Sequence, residues 1–184
     1  MRGIAIETER LVLRSWRAED RAPFAAICAD PQVMATLGPV LDRTGSDALL
    51  DRVEAQEAAD GHTFWALERR SDGALIGWCG VIRGDAGPVA GKAEIGWRLA
   101  HDAWGHGYAS EAARASTNWL FTNLADDAAW AITNTGNARS RAVMERLGMR
   151  HHPDLDFDHP RIAEGELLRP HVAYSLQRSD WTGQ

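Results

Sequence analysis

Between Ala93 and Leu124 the chain changes its hydrophobic rhythm once, over a few residues. Glu94-Ile95-Gly96-Trp97-Arg98-Leu99 alternates as a strand does, and within about eight residues a helical pattern starts at Gly107-Tyr108-Ala109-Ser110-Glu111. A strand that feeds a helix through a short loop leaves the first helical amides unpaired, at the positive end of the helix dipole. Where glycine allows close approach, such a loop is an anion site, and Gly105 and Gly107 supply that clearance. Ala109, Ala112, Ala113 and Ser116 let the helix lie close on a sheet, and Leu120 and Leu124 continue its apolar face. The Gly-x-Gly spacing by itself fits an ordinary tight turn equally well.

The rest of the chain sets this unit in a mixed architecture. A strand is predicted over Thr8 to Arg14, with Leu11 and Leu13 alternating against polar neighbours. Helices are predicted over Glu19 to Ala29 and Ser46 to Ala59, the second with Ser46 as N-cap and Gly61 as terminator. Thr63 to Glu68, Leu75 to Ile82 and Ala93 to Leu99 read as an antiparallel meander, broken by Ser71-Asp72-Gly73 and by Gly84 to Gly91. After the helix from Gly107 to Leu124 come a strand at Trp130 to Thr133, a helix from Asn137 to Leu147 closed by Gly148, and a strand at Val172 to Leu176. This order implies one α/β domain over residues 1–184, a mixed sheet flanked by helices. His151 to Glu166 reads as a long loop, a setting that is often functional or mobile.

Composition narrows the functional classes. A net charge of −6 argues against nucleic acid or an anionic membrane surface as partner. No apolar run approaches the roughly 20 residues needed to cross a bilayer, and Met1 to Arg10 lacks an apolar signal core, so a cytoplasmic protein is expected. Cys28 and Cys79 are two thiols without metal-ligand spacing, as suits a reducing compartment. His151, His152, Asp154, Asp156, Asp158 and His159 match no zinc or calcium pattern; no metal is expected, and the segment reads as an acidic surface loop able to attract a cationic amine. Trp65, Trp78, Trp97 and Trp130 are expected in the core, while Trp16 and Trp104 lie near loops that can line a cavity. Gly105-x-Gly107-x-x-Ser110 also approaches a dinucleotide-binding fingerprint, but the strand before it belongs to a meander and Asp126 and Asp127 precede the next strand rather than end it.

Taken together, Glu94 to Trp97, the run Trp104-Gly105-His106-Gly107-Tyr108-Ala109-Ser110-Glu111-Ala112, and Asn134-x-x-Asn137-x-x-Ser140-x-x-Val143-x-x-x-Leu147-Gly148-Met149 resemble the Gcn5-related N-acetyltransferase superfamily, and within it the ribosomal-protein N-terminal acetyltransferase-like branch. Glu9 to Arg14 and Leu168 to Leu176 extend the resemblance over most of the chain. It implies a mostly antiparallel sheet of about six to seven strands with about four helices, and acetyl-coenzyme A as co-substrate. The first block is then the pyrophosphate loop, and the second lies along the pantetheine and thiol end. On this reading Trp97, Leu99, Trp104, Gly105, His106, Gly107, Tyr108, Ala109, Ser110, Asn134, Asn137 and Ser140 bind the cofactor. Two departures stand out. Trp104 replaces the Gln or Arg with which the superfamily loop usually starts, so no side-chain cation at that position is expected to help the phosphates and the amides must carry the binding. Met144 stands where many members have a tyrosine acid before the glutamate of this helix.

Acetylating an amine requires its neutral form, although a lysine-like amine has a pKa of about 10.4, so a base is useful. Glu94 is the first candidate, on the strand face opposite Ile95, Trp97 and Leu99. His171 is the second, by its pKa and its place on the terminal strand. Asn137 can bond the amides of pantetheine or cap its helix, and Ser140, one turn on, can bond the sulfur or pass a proton to the leaving thiolate. The expected reaction is direct attack by a primary amine, of a protein N-terminus or a small molecule, in a ternary complex. The alternative is an acyl-coenzyme A sensor without turnover. A homodimer formed through the C-terminal strands is conceivable.

Overall fold

Alternating apolar residues build the sheet, beginning with a hairpin. In the computed structural model, which describes residues 5–183, strands β1 (Ala5–Glu7) and β2 (Leu11–Arg14) pair antiparallel, with Leu11 and Leu13 fully buried. The strand expected from Thr8 thus starts three residues later, because Thr8 closes the turn: its hydroxyl accepts from the Leu11 amide at 2.9 Å. Short helices α1 (Arg21–Ala29) and α2 (Pro31–Met34) follow, then the long α3 (Arg43–Asp60). Asp42 rather than Ser46 caps α3, accepting from the Gly45 amide at 2.8 Å, and Ser46 is buried inside the helix. Gly61 ends it with a left-handed C-cap.

The meander is β3 (Phe64–Arg69), β4 (Leu75–Arg83) and β5 (Ala93–Leu99), joined antiparallel. The chain then forms α4 (Tyr108–Asn123), β6 (Ala128–Asn134), α5 (Ala138–Arg146), β7 (Arg150–His151), β8 (Phe157–Asp158) and β9 (Pro170–Gln177). Among the described residues the sheet has nine strands in the order β1-β2-β3-β4-β5-β6-β9-β7, with β8 also on β9. It is mostly antiparallel, as expected; the added strands have two or three residues, and α2 has four, too short to display a period.

One junction differs from the rest. β5 and β6 run parallel and share a single aligned pair, Glu94 with Trp130. Beyond it the strands part, and the C-terminal half of β5 has β4 as its only sheet neighbour. Each face of the sheet has its own core. Ala112, Ala113 and Leu120 of α4 pack on Ala93, Ile95 and Leu99 on one side. Trp16, Phe24, Leu50, Val53 and Trp78 make the second core with α1 and α3 on the other. Trp16 is therefore a core residue: its ring meets Phe24 at 5.0 Å, and its Nε1 donates to the Phe64 carbonyl at 2.8 Å. Trp65 and Trp78 are buried as expected, whereas Trp130 is partly exposed beneath Lys92, whose Nζ lies 3.9 Å from the ring centroid. Among the described residues no helix is long and apolar enough to cross a membrane.

Arg14 is buried and meets the Asp20 carboxylate through two bonds of 2.7 and 2.9 Å and Glu68 through a third of 2.8 Å, which holds its pKa above the ordinary arginine value. Removing one partner strands a buried charge. Asp20→Ala is expected to lower the urea-unfolding free energy by about 3–5 kcal/mol; a loss below about 1 kcal/mol, typical of a solvated pair, would show the pair to be solvated.

Candidate active site

Where β5 and β6 part, a cleft of about 680 Å³ opens between the end of β5, the start of α4 and α5. Its first wall is the loop from Trp104 into α4. Gly107 is the N-cap with φ +80°, a conformation only glycine adopts without strain, and it has no side chain to cap the helix. None of the backbone amides from Gly105 to Ser110 donates to a backbone carbonyl. A row of free donors at the positive end of a sixteen-residue helix therefore faces the cleft.

The first turn of α4 is anchored from far along the chain. Glu111 accepts from the Thr8 hydroxyl at 2.6 Å and the Arg10 amide at 2.9 Å, and Arg10 also donates to the His106 carbonyl at 2.9 Å and covers the Tyr108 ring. Burial pushes Glu111 up, but these bonds outweigh it, so its carboxyl stays below the usual glutamate value.

Trp97, Leu99, Trp104, Gly105, Gly107, Tyr108, Ala109, Ser110, Asn137 and Ser140 all line the cleft. His106 and Asn134 do not. His106 is exposed, its ring 5.6 Å from that of Tyr108, because the left-handed glycines on either side turn it outward. Asn134 is buried and structural: its Nδ2 donates to the Thr36 carbonyl at 2.6 Å and its Oδ1 accepts from the Gly136 amide at 3.2 Å. Charge enters the cleft from another helix. Arg139 of α5 lies over the Trp104 ring at 4.3 Å, and with Arg146 it borders the cleft, so cations stand there although position 104 carries none. Trp104 is itself fixed by an Nε1 bond to the Leu99 carbonyl at 3.0 Å.

Asn137 both caps α5 and borders the cleft. Its Oδ1 accepts from the Ser140 amide at 3.2 Å, and its Nδ2 donates to Thr133 Oγ1 and to Ser140 Oγ, each at 3.0 Å. Because Ser140 Oγ accepts from Asn137, its own proton remains free to be donated.

Glu94, Gly96 and Arg98 occupy the opposite face of β5, towards the second core. Glu94 sits at the apex where the strands part, and burial, reinforced by the negative charge of Asp85, pushes its carboxyl up to about 7. Asp85 is held by Arg161 through bonds of 2.6 and 3.0 Å, a pair separated by 76 residues that no local pattern announces. His171 shares this face but not this place. It pairs with Asn134, four residues along β6 from Trp130, which is about 13 Å at the usual strand rise. Burial lowers the His171 pKa, and its Nδ1–H donates to the Arg169 carbonyl at 3.0 Å, so the neutral ring leaves Nε2 as an acceptor. The His159 ring stands 4.8 Å from it.

The segment expected as a mobile loop is largely pinned. β7 and β8 both pair with β9, Phe157 packs on Gly87, and His151 bonds Asp156 at 2.8 Å. Among the described residues no group of three His, Cys, Asp or Glu side chains converges as a metal site.

Residues 10–150 match the family model described as acetyltransferase (GNAT) domain. An FsC-acetyl coenzyme A-N(2)-transacetylase of Aspergillus fumigatus is 36% identical over 188 residues, covering 96% of this chain and 77% of that protein. Among solved structures, an acetyltransferase from Agrobacterium tumefaciens superimposes with a TM-score of 0.76 at 25% identity, over 95% of this chain and 94% of its own. A putative ribosomal-protein-serine acetyltransferase from Vibrio cholerae shares the fold with a TM-score of 0.76 at 16% identity, over 95% and 97%.

The environment of Glu94 sets its titration. Its side-chain carboxyl, followed by carbon NMR, is expected to titrate near pH 7, and Asp85→Asn should lower that midpoint, since it removes a negative neighbour and frees the Arg161 charge. A pKa raised in the folded state makes stability fall as pH rises from about 4.5 through about 7. Glu94→Gln should therefore raise Tm above pH 7 and leave it unchanged below about pH 4.5.

Proposed function

The chain belongs to the GNAT acetyltransferase family, and from that premise we propose that it acetylates a primary amine, of a peptide N-terminus or a small molecule, by direct attack in a ternary complex. Acetyltransferases of this family use acetyl-coenzyme A, which supplies the acetyl group as an activated thioester. The observation that carries the proposal is the uncapped start of α4 facing a cleft lined by Trp97 to Leu99; Glu94, whose carboxyl is raised to about 7, lies outside that lining, three residues earlier on the same strand.

The residues present fit this co-substrate. The free amides of Gly105 to Ser110 suit a pyrophosphate, and Arg139 and Arg146 add the charge that Trp104 does not. Asn137 and Ser140 offer donors and acceptors further along the cleft, and Trp97, Leu99 and Val143 give it apolar walls. Glu94 serves as base: near neutral pH it is about half ionised, so it accepts a proton from an incoming ammonium without being trapped as a permanent charge. Ser140, with its proton free, can donate a hydrogen bond to the departing sulfur, or relay to it the proton that leaves the amine. His171 offers Nε2 as a further proton acceptor along the same face. Met144 is buried in the core, in keeping with an acid drawn from elsewhere than the position that many relatives fill with tyrosine.

Thiol release from acetyl-coenzyme A, measured across peptides, polyamines and amino sugars, tests the reading; tight binding with no acetylated product from any amine would overturn it in favour of a sensor. Glu94→Gln is expected to lower kcat by 10²–10⁴-fold at pH 7 and to abolish the inflection near that pH. Gly107→Val forces a β-branched residue into φ +80° and should weaken acetyl-coenzyme A binding in calorimetry far more than Trp104→Phe, which keeps a ring for Arg139. Equal effects of the two would count against amide-based phosphate binding.

A further inference from the structure

Several arginines meet carboxylates, among them Arg14 with Asp20, Arg21 with Asp51, Arg69 with Asp72, Arg83 with Asp126, Arg161 with Asp85 and Arg169 with Asp158. Arg98 does not. Its guanidinium lies over the Trp78 ring at 4.8 Å, and Nη1 donates to the Cys28 thiol at 3.1 Å. Nε is completely buried and bonded to nothing, and Nη2 has no hydrogen-bond partner among the described residues. The side chain borders the cleft beneath Gln32, Val33, Thr36 and Leu37, at α2 and the turn after it.

A neutral thiol and an aromatic face are weak returns for a cation taken out of water, and its pKa is lowered by that burial. The idle donors are Nε, which is closed off from solvent, and Nη2, and a guanidinium donor held in a fixed plane suits the oxygen of a planar carboxylate. Glu94 stands four residues earlier on the same strand face, with only Gly96 and the Phe64 ring packed on it between them. One face of β5 thus offers an acceptor of positive charge at its apex and a fixed positive charge further along, the complement of a molecule carrying both an ammonium and a carboxylate.

We propose that Arg98 anchors a carboxylate of the acceptor, so that the preferred substrates are amines that also carry a carboxylate, of the amino-acid class. The proposal rests on acetyl transfer to an amine as argued above, and it assigns the acceptor's chemistry. A monoanionic carboxylate matches the single buried cation, whereas a dianionic phosphate would leave a net charge in the same place.

Matched acceptors differing only by the carboxylate test it: lysine against cadaverine, 4-aminobutyrate against propylamine, and alanine against ethylamine. For at least one pair, kcat/KM for the carboxylated member should exceed its partner's by tenfold or more. Arg98→Met should bring that ratio close to one, and Arg98→Lys should restore part of it. A merely structural arginine would instead cost stability, so the Tm of ligand-free Arg98→Met is expected to match or exceed that of the unaltered protein. Binding of the same pairs in the presence of coenzyme A, by calorimetry, separates this inference from the reaction. Carboxylate preference in binding without turnover would overturn the acetyl transfer and uphold the anchor. Equal binding and equal turnover within every pair, or a drop in Tm with the preference intact in Arg98→Met, would overturn the anchor alone.

Discussion

The architecture turns on the junction between β5 and β6, which touch in register only at Glu94 and Trp130. Every other neighbouring pair in the sheet is antiparallel, and the α4 crossover makes this one parallel. Strands that share one pair and then separate leave part of a backbone edge without its ladder, in a molecule whose buried amides and carbonyls otherwise need partners. The same seam receives the free donors at the start of α4 and the polar cap of α5. The cleft is therefore a by-product of incomplete sheet closure, flanked by a separate core on either face of the sheet.

Ionisable groups are handled differently on the two sides of that seam. Away from it, buried charge is matched: Arg14 has Asp20 and Glu68, and Glu111 has Thr8 and Arg10. Beside it, Glu94 is shielded without a hydrogen-bond partner and Arg98 is half satisfied by a thiol. Both conditions cost stability in the ligand-free protein, and on the proposed reading a bound acceptor would relieve them.

Much of this was legible from residues alone. The strand of Ala93 to Leu99 emerged with its expected bounds, and the loop with left-handed Gly105 and Gly107 does lead into a helix, because alternation and glycine placement are local signals. Asn137 caps α5, one of the two roles its residue type allows, whereas a cofactor role for it and for Ser140 came from the family resemblance and not from spacing. What escaped depends on contacts across the sequence. Asn134 looked like a ligand-binding amide but joins β6 to the turn after α2, and Trp16 looked like a cavity residue but fills a core built by α1 and α3. The cation at the loop comes from Arg139 on another helix, and the Asp85–Arg161 pair that conditions Glu94 joins two segments with no shared pattern. Strands of two residues, such as Arg150–His151, carry no period to read.

The tie between Thr8, Arg10 and Glu111 has a consequence for how the protein matures. It links positions 101 residues apart, so the loop at Gly107 reaches its working shape only after the opening hairpin and the first turn of α4 have met. Contacts of that separation form late, since the entropy of closing the intervening chain must be overcome first. Nascent or partly folded chains therefore lack this arrangement of amides, and a ligand bound at the proposed cradle would select the completed molecule, drawing the folding equilibrium towards it by mass action.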